Sequence, residues 1–211
     1  MLARRLLLQC GIAASLLYVV MNVLVPMRWP AYRSFSQTVS ELSAIDAPTR
    51  AWWTPLGIAY TALMIAFGAG VVVSSRGRFA VRASGHLLVA YGAFGIFWPP
   101  MHQRAVLAAG GQTLTDTLHL VWAAVTVLFM FAAMGFGAVA FGTRFRVYSI
   151  ATMAVLIVFG ALTSLQAPAV QADLPTPWIG VWERINIGGF LLWVIVLAVM
   201  LRRQPGIQTT R

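Results

Sequence analysis

Apolar runs long enough to cross a bilayer recur six times along this chain, with short polar connections between them. A helical span needs about 20 mostly apolar residues, because the hydrocarbon core is about 30 Å thick. The first run is Leu6 to Val25 and the second Trp52 to Val73. The third, Ala80 to Trp98, ends at Pro99-Pro100, where the missing N–H groups and the rings oppose further helix. The fourth covers Leu114 to Phe141, more than a span requires, and the fifth Val147 to Leu165. The sixth starts at Thr176-Pro177, read as an N-cap followed by proline at the first helical position, and ends near Leu201. The longest connection is Pro26 to Arg50. In it Thr38 to Glu41 and Ser43 to Asp46 both have capping-box spacing, which predicts a short helix at the membrane surface. With no internal repeat and no polar domain, residues 1–211 read as a single transmembrane domain. The expected fold class is an all-α polytopic bundle of about six transmembrane helices with a short interfacial helix.

Composition agrees with that class and removes another. The chain is 60% hydrophobic and 9% charged, whereas soluble domains carry roughly 25% charged residues. A formal charge of +10 raises the idea of a nucleic-acid partner. The basic residues, all of them Arg, instead sit in short clusters between apolar runs, which suits membrane lipids and topology control. With Cys10 alone, no intramolecular disulfide can form. The first run lacks an Ala-x-Ala cleavage site and is expected to stay as a helix. An even number of spans puts both termini on one side. That side collects Arg4, Arg5, Arg76, Arg78, Arg82, Arg144, Arg146, Arg202, Arg203 and Arg211, against Arg28, Arg33, Arg50, Arg104 and Arg184 on the other. The positive-inside rule then makes the termini cytoplasmic. Trp29, Trp52, Trp53, Trp98, Trp178 and Trp182 would form an aromatic belt at the outer interface.

Charge also locates the candidate chemistry. All five acidic residues, Glu41, Asp46, Asp116, Asp173 and Glu183, fall on the outer side, with His102 and His119. Asp116 and His119 are three apart on one helix and share a face, so the carboxylate could orient the imidazole as a general base. Asp116 could equally complement its helix N-terminus. Arg104 and Arg184 suit a carboxylate or phosphate, or lipid headgroups. Glu183 and Arg184 enter the sixth helix about 10 Å past its start, a depth at which charges normally pair inside a bundle. Arg104 or Asp116 are the expected partners, and Asn186 and Asn22 could join Glu183. The candidate catalytic residues are Glu41, His102, Asp116, His119 and Glu183, and the candidate substrate-binding residues Ser40, Arg104, Arg184 and Asn186. His102, His119, Asp116, Glu41 and Glu183 are also suitable zinc ligands, although no HExxH, HxxxH or paired-Cys spacing accompanies them.

Ser40-Glu41-Leu42, Met101-His102-Gln103-Arg104, Asp116-x-x-His119 and Thr176-Pro177-Trp178 followed by Glu183-Arg184 occur here in order between the spans. In this combination the chain resembles domain-of-unknown-function family 998, polytopic membrane proteins of bacteria and archaea. The resemblance runs from the first helix to the sixth and implies a bacterial or archaeal cytoplasmic membrane. It carries no activity. Two functional readings follow from the residues. One is a hydrolase or transferase acting on a lipid or lipid-linked substrate at the outer leaflet, with His102 and His119 facing a cavity between the third, fourth and sixth spans. The other is a non-catalytic interaction protein, sensor or small transporter whose polar cluster is a structural ion-pair network. Transport sits poorly with the almost wholly apolar inner halves of the helices. Gly85, Gly92, Gly95, Gly188 and Gly189 would allow close helix approach, within one chain or in a homo-oligomer or a complex with a membrane partner.

Overall fold

A computed structural model describes residues 2–204; Arg211, counted above on the Arg-rich side, lies outside them. Six long helices carry the fold: α1 Leu2–Leu24, α2 Arg50–Val73, α3 Phe79–Gly95, α5 Leu114–Ala140, α6 Thr143–Ser164 and α8 Ile179–Arg203. Two short helices, α4 Arg104–Ala108 and α7 Ala167–Gln171, sit in connections. Five of the long helices are long and apolar enough to cross a membrane. The sixth, α3, has 17 residues and packs between α2 and α5.

Each long helix packs on the next, and α8 returns to α1, so the six form a closed ring. One contiguous apolar cluster fills it, including Ala14, Met64, Phe67, Leu88, Met134, Leu156, Phe190 and Trp193 from all six helices. Lipid offers apolar side chains no less than a protein core does, so polar contacts and close packing must add to this burial. Ser15 Oγ donates to Leu191 O at 3.1 Å across α1 and α8. Ser84 Oγ reaches Ala133 O at 2.9 Å across α3 and α5, and Trp193 Nε1 donates to Ser149 Oγ at 2.9 Å across α8 and α6. The Tyr60 and Tyr91 hydroxyls meet at 2.8 Å between α2 and α3.

The seam between α2 and α3 explains three of the glycines. A Cβ on Gly85 would stand 2.7 Å from Val72 N, and one on Gly92 or Gly95 would press on Ile65 or Thr61 at 2.8 Å. Those three are consumed within the monomer. Gly189 faces Leu156, and Gly188 alone of the five looks onto open space. Gly85→Leu is therefore expected to wedge α2 from α3, costing at least the 1–3 kcal/mol typical of an overpacked core. A Gly188→Leu protein should melt in detergent like the parent, and equal loss from both would contradict the seam.

Both ends of the ring are defined. Arg4 Nε donates to Ser74 Oγ at 2.9 Å and its Nη2 to Leu201 O, so the start of α1 and the end of α8 meet the end of α2. The opposite end holds the long connection, α4 and α7. The short helix predicted there is a single 3-10 turn, Ser40–Ser43. It is turned inward, with Glu41 and Leu42 buried. The Thr38–Glu41 capping box forms: Thr38 N donates to Glu41 Oε2 at 2.6 Å and Glu41 N to Thr38 Oγ1 at 3.3 Å. The Ser43–Asp46 box does not, because Ser43 Oγ donates back to Ser40 O and Asp46 takes a left-handed turn at φ 61°. Helix α8 begins at Ile179, later than Thr176-Pro177 suggests. The Thr176 hydroxyl is engaged elsewhere, donating to Ser36 O at 2.9 Å.

Candidate functional site

The polar residues at the end of the ring that holds the long connection separate into a saturated ion pair, a His–Asp pair, a lone His and two charges that fasten the loop. Glu41 lies on the inward 3-10 turn and Arg104 at the start of α4, 63 residues later. Arg104 Nε donates to Glu41 Oε1 at 2.8 Å and Nη2 to Oε2 at 3.0 Å, a two-pronged pair. The remaining guanidinium donors reach Thr176 Oγ1 at 2.8 Å, Ser36 O at 3.0 Å and Leu174 O at 3.5 Å. Glu41 also accepts from Gln37 Nε2, Thr38 N and Thr38 Oγ1. A guanidinium has five N–H donors and a carboxylate about four acceptor sites, so neither partner keeps capacity for a substrate.

Asp116 caps its own helix. Its Oδ2 accepts from Thr113 N at 2.9 Å while Thr113 and Asp116 form the capping box of α5. The same carboxylate accepts His102 N at 2.7 Å and His102 Nδ1 at 2.8 Å. Sequence spacing pairs Asp116 with His119; the structure pairs it with His102. Thr113 holds the carboxylate back over the helix end, whereas His119, one turn deeper, donates from Nδ1 to Pro99 O at 2.8 Å. In each imidazole the hydrogen bond is made by Nδ1, and Nε2 has no hydrogen-bond partner among the described residues. His119 is buried edge-on against the Trp98 ring, with centroids 5.3 Å apart.

Glu183 and Arg184 do not pair with Arg104 or Asp116, contrary to expectation. Arg104 is occupied by Glu41, and Asp116 by His102. Glu183 Oε2 instead accepts the backbone N–H of Val39, just ahead of the 3-10 turn. Arg184 Nη1 donates to Ser34 O at 2.8 Å and Gly180 O at 3.0 Å, and Nη2 to the Tyr32 hydroxyl at 2.7 Å. Tyr32 passes the contact on, donating to Thr38 O at 2.8 Å. Burial raises the Tyr32 phenol above its ordinary value, with Arg184 opposing, so it remains a donor at neutral pH. Asn186 leaves the cluster: its Nδ2 donates to Leu156 O at 2.6 Å across to α6. Asn22 binds Tyr18 O in its own helix and does not reach Glu183.

Among the described residues, no three His, Cys, Asp or Glu side chains gather as metal ligands. Glu41 is spent on Arg104 and Glu183 on Val39, so the zinc reading has no support. A cleft of about 340 Å³ opens at this end, lined by Ser34, Phe35, Val181, Arg184 and Ile185. It adjoins neither His102 nor His119.

One family model, described as a protein of unknown function, matches residues 12–200. The chain belongs to the DUF998 family. No curated protein and no solved structure matches it. Every candidate residue of this DUF998 protein falls inside the matched region, including those that turn out to fasten the loop. Sequence reasoning missed Tyr32, Ser36, Thr113 and the hydroxyl role of Thr176. Only Thr113 had a local signal, the Thr-x-x-Asp spacing ahead of an apolar run.

Proposed function

We propose that this integral membrane protein is a non-catalytic interaction protein whose outer polar cluster is a structural network holding the 26–49 connection as a fixed cap over the ring. The observation that carries this reading is the mutual saturation of Glu41 and Arg104. A structural network satisfies its own donors and acceptors, while a binding site leaves some open at a cavity wall. The apolar cluster that fills the ring favours a partner subunit or a sensor over a permease. The positive-inside rule supports cytoplasmic termini in this reading, because ten of the fifteen Arg fall on that side in the sequence.

One observation favours the enzyme reading as a second account. The Asp116 carboxylate engages His102 Nδ1 at 2.8 Å, the orienting contact that a general-base histidine uses. Complementation of a deletion strain separates the two. On the network reading, His102→Ala and His119→Ala proteins reach the membrane and complement the deletion, with a stability loss of about 1 kcal/mol for the hydrogen bond removed. On the enzyme reading, His102→Ala is folded but fails to complement.

A further inference from the structure

The Arg-rich end of the ring holds a feature that the outer cluster does not explain. A cleft of about 450 Å³ opens there between α6 and α8, lined by Gly142, Thr143, Arg144, Phe145, Tyr148, Val196 and Met200. Its floor is apolar: Phe145 and Tyr148 from α6, Val196 and Met200 from α8. Its rim is cationic. Arg144 lines it directly, and Arg203 stands three residues beyond Met200, on the same face of α8. Both are exposed. They differ from Arg4 and Arg78 at the same end, whose side chains are spent on Ser74, Leu201, Ala140 and Gln204. All five acidic residues of the chain lie at the opposite end, so nothing acidic competes for these two Arg among the described residues.

We propose that this cleft binds one anionic phospholipid of the adjoining leaflet, with its phosphate between Arg144 and Arg203 and an acyl chain along Phe145, Tyr148, Val196 and Met200. The charge and the shape agree on this occupant. A cationic rim at headgroup depth attracts an anionic lipid and discriminates weakly among soluble anions, while the apolar floor accepts only something with a tail. Each basic residue at an anionic lipid surface is worth about fivefold in affinity, so two together are worth about thirtyfold.

Native mass spectrometry of the purified chain in a nonionic detergent, titrated with dioleoyl phosphatidylglycerol or dioleoyl phosphatidylcholine, tests this. The expected result is one preferentially retained phosphatidylglycerol, with affinity falling about thirtyfold in Arg144→Gln/Arg203→Gln. The control Arg76→Gln/Arg82→Gln removes two Arg from the same end without touching the cleft, and should retain the lipid as the parent does. Four results would overturn the proposal: equal retention of phosphatidylcholine, equal loss in the control, displacement by inorganic phosphate, or a dimer that forms in place of the lipid adduct. A double variant that melts early is replaced by Arg144→Lys/Arg203→Lys, which keeps the charge and must keep the preference for phosphatidylglycerol.

Discussion

Arg104→Ala is expected to lower stability by about 3–5 kcal/mol, the usual result of removing one partner from a buried pair. The substitution strips Glu41, a residue 2% exposed, of its one cationic contact among the described residues. It also releases Thr176 and Ser36, which tie the start of α8 and the connection to α4. Thermal melting in detergent gives the comparison. The cause is distinguishable from lost packing by pairing Arg104→Met with Glu41→Leu. Replacing both charges by apolar groups removes the unpaired ion but also the acceptor of Thr38 N, so the double variant should recover part of the loss. If the double variant is as unstable as Arg104→Ala, the unpaired carboxylate is not the cause.

The second large effect is expected at Gly180. Its N–H donates to Phe35 O at 3.0 Å, and a Cβ there would overlap the carbonyl oxygens of Ser34 and Gln37. Those atoms are backbone, and Arg184 Nη1, itself 2.9 Å from the added Cβ, holds Ser34 O in place, so the loop has no side-chain slack to absorb a methyl. Gly180→Ala should cost at least 1–3 kcal/mol as overpacking and lift residues 34–37 from α8. Gly57→Ala, at a helical glycine facing open space, is the matched control and should be neutral or slightly stabilising through helix propensity. Equal melting of the two variants would place the 34–37 segment off α8.

The six long helices were legible because bilayer thickness imposes a length on hydrophobic runs, and they start within a few residues of the expected spans, five of them long and apolar enough to cross a membrane. The late start of α8 was not legible: Thr176 reads as a local cap, but its hydroxyl serves Arg104 and Ser36, contacts made only after the chain has folded. The charged members of the cluster were legible for a similar reason, since carboxylates that interrupt apolar runs gather at one end of the ring, whereas Tyr32, Ser36 and Thr113 were not. The pairing was not. Arg104 finds Glu41 because the Pro26–Arg50 connection folds inward, and no local spacing encodes that. Spacing on α5 brings Asp116 and His119 to one face, yet the turn above them delivers His102 to the carboxylate. Asn186 was misassigned because its partner depends on α6 lying next to α8.

Amide hydrogen exchange reads directly whether residues 26–49 form a fixed cap or an opening flap. With Val39 N held by Glu183, Thr38 N by Glu41 and Ile45 N by Met101 O at 2.7 Å, peptides covering 36–46 in the parent protein should exchange slowly, close to the helical segments around them. The same peptides should become fast in Arg104→Ala while α2 and α8 stay protected. Rapid exchange of 36–46 in the parent protein, unchanged by Arg104→Ala, would contradict the cap and restore a mobile entrance above His102 and His119.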